Sequence, residues 1–180
     1  VPKHVTLELA KMAMSQSSCS ISVLEGRPDE LLRELQGHKI DLIVSNFEPS
    51  LLEGHGLYSR RISRAPVVVC GAKKYQKLAR GFPRSIHQQP FVLATGHSKL
   101  RHDFEHYVRL AGLQVDVVAE TQDTALQKLM GIHGLGLVAM PLTAVEEPIR
   151  NRDLFKLGEV EGVFEEIYLV SASRKFANPV

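Results

Sequence analysis

The 180-residue sequence has no tryptophan, only two cysteines and no long uninterrupted apolar run. A transmembrane helix needs about 18 or more consecutive apolar residues, so the sequence predicts no membrane span. Cys19 and Cys70 form neither a CxxC pair nor a metal-binding spacing. We interpret both as free thiols in a reducing cytoplasm. The first residues, Val1 to Met14, carry no secretion-signal pattern.

An excess of charge of one sign is missing as well. The 22 basic side chains are nearly balanced by 20 acidic ones, for a net charge of +2. We interpret the acidic and basic residues as interspersed along the chain. The chain by itself should therefore not bind DNA appreciably at physiological salt, because duplex affinity needs several cations acting together. No helix-turn-helix pattern is present either.

The motifs of common enzymes and cofactor sites are absent too. There is no G-x-S-x-G, H-E-x-x-H or P-loop pattern, so we predict no catalytic residue. The segment Gly134 to Ala139 fits G-x-G-x-x-A, but it follows a helix pattern and opens a strand. A dinucleotide fingerprint does the reverse, and we predict no cofactor. His102 and His106 share a predicted helix face without a third ligand, so we interpret them as solvated and predict no metal.

What the sequence does contain is an alternation of strand and helix patterns, typical of an α/β fold. The clearest case is Val115 to Pro141: a strand, a helix capped by Thr121 or Asp123, and a second strand. Leu126 and Leu129 belong to the predicted apolar face of that helix. The second strand has no charge, so we expect it to be central, parallel and covered on both faces. The other predicted helices are 2–14, 28–37, 73–80, 98–111 and 142–150, and the other predicted strands are 20–24, 41–45, two within 57–70, 91–94, 154–157 and 164–171.

Three segments carry a family resemblance. They are Glu25-Gly26 followed by Asp29 to Leu31, the helix end, turn and Asp-led strand from Leu35 to Val44, and the Gly-x-Gly-(apolar)-Pro run from Gly134 to Pro141. In this order they resemble the effector-binding domain of LysR-type transcriptional regulators. The resemblance implies two Rossmann-like lobes joined by two crossing strands, a type 2 periplasmic-binding-protein-like fold.

The same resemblance implies domain limits and a function. Lobe I would comprise residues 1–63 plus 173–180 and lobe II residues 64–172, with the DNA-binding domain absent from this chain. The chain would be the ligand-sensing and dimerisation domain of a cytoplasmic regulator, with a small-molecule or ion effector in the cleft between the lobes. It would form a homodimer or tetramer through the helices at Pro28 to Gly37 and Ser98 to Ala111. DNA would be bound only through a missing N-terminal helix-turn-helix domain.

Within the family, three segments look most like the NhaR-like branch, which regulates sodium/proton antiporters. They are Ser98 to Arg101, Gln122 to Gly131 and Val160 to Glu166. The branch implies sodium or alkaline pH as the signal. No cluster of carboxylates suited to sodium is apparent in the sequence, which speaks against direct coordination.

Candidate effector-binding residues follow the predicted strands. In open α/β sheets, ligands lie beyond the carboxyl ends of the strands, and backbone N–H groups at a helix start add donors. Two alternatives carry the same weight as ligand binding: Ser98 serves only as a helix cap, and Arg27 is an ordinary solvated arginine. For Asp123 the capping role is favoured over ligand binding. We expect one cleft to gather eight residues: Arg27, Asn46, Thr95, Gly96, His97, Ser98, Thr121 and Asp123.

Two other functions stay open from the sequence. A free-standing solute-binding protein would share the fold, and a cleavable signal upstream would distinguish it from a regulator with an upstream helix-turn-helix. An enzyme is opposed only by the missing nucleophile, metal and cofactor motifs, and we expect no enzymatic activity.

Overall fold

The described part of the chain, residues 3–46 and 56–173 of a computed structural model, consists of alternating helices and strands. The helices are α1 (Lys3–Gln16), α2 (Pro28–Gln36), α3 (Lys99–Leu110), α4 (Thr124–Ile132) and α5 (Leu142–Arg150), with 3₁₀ helices at Lys73–Gly81 and Arg84–Ile86. The strands are β1 (Leu42–Ser45), β2 (Leu57–Gly71), β3 (Pro90–Ala94), β4 (Asp116–Thr121), β5 (Leu137–Pro141) and β6 (Phe155–Ala172). Across these residues, no helix combines the length and the apolar content that spanning a bilayer requires.

These elements divide between two compact units. The described residues up to Arg64 and from Glu166 onward form unit 1, and Ala65–Glu165 form unit 2. The chain leaves unit 1 within β2 and returns to it within β6, so two strands connect the units. The lobe limits expected from the sequence, 1–63 with 173–180 and 64–172, stay a prediction about the ligand-binding lobes.

The strand β5 is the centre of unit 2. All five of its residues are buried. It pairs antiparallel with β2 and parallel with β3, and β4 lies parallel on the other side of β3. An uncharged strand is stable in this position because apolar side chains cover both of its faces. The sequence prediction of a central, covered strand is confirmed, although one of its two neighbours is antiparallel.

Two apolar clusters cover the opposite faces of this sheet. Successive residues of β2 point to opposite faces, so Val67 and Val69 belong to one cluster and Val68 and Cys70 to the other. On the first face α3 contributes Phe104, whose ring centroid is 5.3 Å from that of Phe91 on β3. The first cluster contains Val67, Val69, Ile86, Phe91, Leu93, Phe104, Val108, Leu137, Ala139, Leu157, Val160 and Val163. The second contains Val68, Cys70, Val92, Val138, Met140, Val145 and Leu154.

Unit 1 has a smaller apolar cluster under α2. Pro28 opens this helix, where its missing N–H is not needed, and two acidic residues follow in the first turn. Leu35 is fully buried against Ile43 of β1 and Val170 of β6. β1 pairs antiparallel with β6, with Leu42 opposite Ser171. The helix and the strand predicted for this region are confirmed.

The predicted strand at Ser20 to Leu24 is wrong. Residues 19–27 form neither helix nor strand, and residues 20–27 are all exposed. The alternation of Ile21 and Val23 favours an extended chain, but a strand forms only where a neighbouring strand completes its hydrogen bonds. None of the described strands pairs with this segment.

Two predicted strand pairs are each one continuous strand. β2 runs through Pro66, and β6 joins the segments predicted at 154–157 and 164–171. Gly162 lies within β6 at φ 77°, a conformation that glycine adopts without strain. The strand therefore continues through one residue with a positive φ.

The face of α4 that meets the core differs from the predicted one. Gln127 and Gly131 are buried, whereas Leu126 and Leu129 are 43% and 50% exposed. The Gln127 amide donates to the Val92 carbonyl at 3.0 Å, so its burial leaves no hydrogen bond unmade. A ranking of side chains by hydrophobicity selects the two leucines because it ignores such specific partners.

Candidate functional site

The carboxyl ends of β3 and β4 lie side by side in unit 2. Ala94 is in register with Thr121, and the Thr95 N–H donates to the Thr121 carbonyl at 3.3 Å. The chain then turns from β3 into α3, with the Ser98 N–H donating to the Thr95 carbonyl at 3.0 Å. The structure thus brings together six of the eight candidate residues: Thr95, Gly96, His97, Ser98, Thr121 and Asp123.

Two of these residues cap helices, as the sequence indicated. The Ser98 hydroxyl accepts from the Arg101 N–H at 3.4 Å at the start of α3. At the start of α4, one carboxylate oxygen of Asp123 accepts from the Ala125 N–H at 2.8 Å. The Asp123 N–H in turn donates to the Thr121 hydroxyl at 3.0 Å. Capping therefore fixes the two turns that would face a ligand.

Thr95 and His97 differ from these caps. Thr95 is half-buried and His97 is exposed. Within the part of the chain that the structure describes, neither side chain has a hydrogen-bond partner. Gly96 lies between them, and a methyl group at its position would meet nothing within 4 Å. This short segment offers a hydroxyl, an imidazole and open space beside the backbone.

Arg101, which was not among the eight predicted site residues, stabilises the turn after β3. It is 8% exposed. Its guanidinium donates to the Ala94 carbonyl at 2.9 Å, to Glu120 at 3.0 Å and to Glu105 at 2.6 Å. One side chain therefore connects the last residue of β3, the end of β4 and the body of α3. The pair Arg101 and Glu105, four residues apart on a helix, was the available sequence signal.

The remaining two candidates belong to unit 1. Arg27 occupies the extended position before α2, and its exposed guanidinium lies 3.5 Å from Asp29. It does not follow a strand, because the strand predicted before it is absent. Asn46 follows β1 directly and is half-buried. Whether these two meet the six residues of unit 2 stays a prediction.

Other titratable groups of unit 2 offer little chemistry. Burial raises the pKa of the Cys70 thiol to about 12, so it stays protonated and unreactive at neutral pH. His102 and His106 are exposed on α3. Across residues 3–46 and 56–173 no three His, Cys, Asp or Glu side chains are grouped to hold a metal.

An open groove of about 600 Å³ lies at the other end of unit 2. It is lined by the end of α3 and by the segment that enters β4, including Arg109 and Gln114. Because Thr121 ends β4 while Gln114 precedes it, this groove and the candidate turns lie at opposite ends of that strand. We give the turns more weight because ligands of open α/β sheets bind beyond carboxyl ends.

The Gly-x-Gly run after α4 makes a tight connection. Gly134 has φ 76°. A methyl group on Gly136 would lie 2.9 Å from the Pro90 carbonyl oxygen, so only glycine allows β5 to approach β3 this closely. The run follows α4 and opens β5, whereas a dinucleotide fingerprint follows a strand and opens a helix.

Comparison with known proteins identifies the family. A model described as the LysR substrate binding domain matches residues 4–180. The chain belongs to this family. It is the effector-binding domain of a LysR-type regulator, and the fold expected from the sequence, the type 2 periplasmic-binding-protein-like fold, is confirmed.

Individual proteins that are similar to this LysR-type domain support the family assignment. The transcriptional activator protein NhaR of Escherichia coli K12 is 26% identical over 182 residues, covering 95% of this chain and 59% of NhaR. The DNA complex of Vibrio fischeri DarR superposes with a TM-score of 0.77 at 16% identity, covering 98% of this chain and 61% of DarR. The effector-binding domain of QuiR, solved with shikimate, has a TM-score of 0.69 at 15% identity and covers 98% of this chain and 84% of that one. The chain thus spans 59% of the length of the curated relatives that it matches.

Proposed function

We propose that this domain senses a small molecule or ion at the turns after β3 and β4, and that it does so within an NhaR-like transcriptional regulator. The main observation in support is that two capped turns lie side by side, joined by the hydrogen bond from the Thr95 N–H to the Thr121 carbonyl at 3.3 Å. In the full proposal Arg27 and Asn46 complete the site across a cleft between the lobes. The shikimate complex of QuiR supports a small polar ligand in a domain of this fold.

The chemistry of the turns supports a ligand rich in hydroxyl or carboxylate groups. Backbone N–H groups at the start of α3, the Thr95 hydroxyl and the His97 imidazole are donors beside open space at Gly96. The Asp123 carboxylate is engaged by the first turn of α4. Sodium or alkaline pH stays the signal that the NhaR-like branch implies.

The whole regulator would act as a cytoplasmic homodimer or tetramer and would not be an enzyme. It would read promoter DNA through a helix-turn-helix domain outside this chain. Of the two helices expected to make contacts, α2 buries its leucines in its own unit, since Leu35 is fully buried and Leu31 and Leu32 pack beside it. Exposed apolar side chains of residues 20–24 in unit 1 and Val118 of β4 in unit 2 are surfaces that a second copy would cover.

Nuclear magnetic resonance titration tests the site directly. The probes are potassium shikimate, sodium chloride and potassium chloride at equal ionic strength. We expect one probe to shift the backbone amides of Thr95, Gly96 and Thr121 first. Loss of one hydrogen bond in Thr95→Val should weaken that binding by about 5–10-fold.

Thr143→Val on α5 is the matched control and should leave the affinity unchanged. A probe that binds tightly while shifting only amides outside the two turns would contradict the proposed site. Equal effects of sodium and potassium chloride would contradict sodium as the signal.

A further inference from the structure

One long stretch of the sequence is not a mixture of charges. Between Gly54 and His102 there is no acidic residue, although ten basic ones occur. The expectation of interspersed charges is therefore wrong for this part of the chain. The ten are Arg60, Arg61, Arg64, Lys73, Lys74, Lys77, Arg80, Arg84, Lys99 and Arg101.

Half of these cations lie together on the two 3₁₀ helices of unit 2, and all five of them are exposed. We call them the basic face: Lys73, Lys74, Lys77, Arg80 and Arg84. No described residue forms an ion pair or hydrogen bond with any of them. Lys74 lies over the Tyr75 ring, with its ammonium 4.9 Å from the centroid.

The other cations of the stretch behave differently. Arg61 and Arg64 both reach Glu166, at 2.7 Å and 3.4 Å. Lys99 pairs with Asp103 on α3. Four of the five other cations of the stretch, all except Arg60, are thus paired with a carboxylate. Within the stretch, unpaired positive charge is therefore concentrated on the basic face.

The basic face is held rigidly, because the same segment is anchored in the core. Tyr75, Leu78 and Phe82 point inward and pack against the larger apolar cluster. Gly158 of β6 leaves the space for the Phe82 ring, since a methyl group there would lie 2.2 Å from it. The Ser85 hydroxyl donates to the Leu78 carbonyl at 2.6 Å and closes the turn between the two 3₁₀ helices. Little backbone entropy is therefore lost when this segment meets a partner.

We propose that the basic face binds the phosphate backbone of duplex DNA. Cores of protein interfaces are rich in aromatic and apolar side chains and poor in lysine, whereas protein–DNA interfaces are polar and strongly positive. The residues between the cations on this segment are either small or polar and exposed, as at Gln76 and Ala79, or directed into the core. This composition fits phosphate contacts without base reading.

The inference goes beyond the proposed function, in which DNA contact belongs to the rest of a longer regulator. Five phosphate contacts are too few for strong binding at physiological salt. They become effective when another part of the same molecule already holds the duplex nearby and raises its local concentration. The basic face would then influence the path of the DNA around the sensing domain.

Fluorescence anisotropy with a random-sequence duplex of about two helical turns tests the proposal on the 180-residue chain. Neutralising five phosphates predicts a slope of about −4.5 for the logarithm of affinity against the logarithm of salt concentration. Between about 25 mM and 150 mM salt the affinity should fall by roughly three thousandfold. Sequence should have no effect.

The variant carries Lys73→Gln, Lys74→Gln, Lys77→Gln, Arg80→Gln and Arg84→Gln. We expect it to lose binding at the lowest salt, with its circular dichroism unchanged. The control has the same net charge and replaces five exposed cations elsewhere, namely Lys11, Arg33, Lys39, Arg109 and Arg150, and should bind almost as the parent does. Lys77→Gln alone should reduce the slope by about 0.9.

Three results would overturn the proposal. The first is an equal loss of DNA binding in the variant and its control, which would mean that net charge alone causes the binding. The second is an unchanged slope in Lys77→Gln. The third is tighter binding of a poly-glutamate peptide than of DNA at the same salt, which would assign the basic face to an acidic protein. Because no effector is present in these measurements, their outcome is independent of the proposed sensing site.

Discussion

In unit 2, Phe91, Phe104 and Leu137 are completely buried, whereas in unit 1 Ile21, Val23 and Leu24 lie 39%, 61% and 63% exposed. The difference follows from how many apolar side chains pack over the elements of each unit. Among residues 3–46 and 56–173, unit 2 has apolar clusters on both faces of its sheet, and unit 1 has one small cluster under α2. A strong β-branched pattern therefore gives a buried strand only where a neighbouring strand and a helix exist to receive it. The two units can be compared by equivalent substitutions.

Truncation of a core ring should have the largest effect. Phe104→Ala removes a fully buried side chain that touches Phe91, and we expect it to cost about 3–5 kcal/mol of unfolding free energy. Val23→Ala, at an exposed position of unit 1, should change it by less than about 0.5 kcal/mol. Urea unfolding monitored by circular dichroism measures both. Equal losses would mean that residues 20–24 are covered in solution.

Addition of a methyl group at Gly136 should have the next-largest effect on the free energy of unfolding. Gly136→Ala places a carbon 2.9 Å from a backbone oxygen of β3, and backbone cannot move aside as a side chain does. We expect a loss of about 1–3 kcal/mol. Gly96→Ala is the matched control, because its methyl group meets nothing within 4 Å. A loss in the control as large as in Gly136→Ala would argue against close strand approach as the cause.

The ion pairs of the two units form the third contrast. Arg101→Met breaks three charged hydrogen bonds of a buried guanidinium in unit 2, and we expect a loss of about 1.5–3 kcal/mol. Arg61→Met removes an exposed pair with Glu166 in unit 1 and should cost about 0–1 kcal/mol. Thermal unfolding of both variants at low and high salt distinguishes the two sets of ion pairs, since only the exposed pair is strongly screened. Similar salt sensitivity of both variants would contradict this assignment.

Two adjacent carboxylates at the boundary between the units should show the smallest effects, with opposite signs. Burial raises the pKa of Glu165, the last residue of unit 2. The hydrogen bond from Tyr168, followed by Arg61 and Arg64, lowers the pKa of Glu166. The native state therefore loses stability at Glu165 as pH rises from the ordinary carboxyl pKa to the raised one. At Glu166 it loses stability as pH falls from the ordinary pKa to the lowered one.

The test is a pH series of unfolding free energies. Glu165→Gln should be more stable than the parent at neutral pH, with the advantage vanishing below the ordinary carboxyl pKa. Glu166→Gln should be less stable at neutral pH and equal to the parent at low pH. The same pH dependence in both variants would refute the opposite shifts.

Sequence patterns predicted most of unit 2, because its signals are local. The caps at Ser98 and Asp123, the uncharged strand β5 and the glycine connection all depend on neighbours within a few residues. The turns after β3 and β4 were found for the same reason, as strand ends followed by capping residues. Their adjacency is now established, while their role as a ligand site stays a proposal.

What the sequence could not predict depends on distant partners. Residues 20–24 have the composition of a strand, but pairing is decided by chain far away in sequence. Arg101 looks like an ordinary helix arginine until Ala94 and Glu120 are brought to it by the fold. Gln127 is buried because one carbonyl of β3 accepts its amide hydrogen. Single-residue hydrophobicity misplaces such groups because it contains no information about specific acceptors.

The irregular register between β3 and β4 has a consequence for colloidal behaviour. Phe91 is opposite Val117 and Val92 is opposite Ala119, so Val118 has no partner on β3. Such an extra residue kinks the strand and disturbs the regular spacing of the outward-facing backbone groups. A straight outer strand would be a template on which other extended chains could stack into fibrils. At Val118 the irregular register leaves only short regular stretches on either side, with Asp116 and Glu120 flanking them. This disfavours amyloid-like growth on the outer side of β4, which is the last strand in the order of the described sheet.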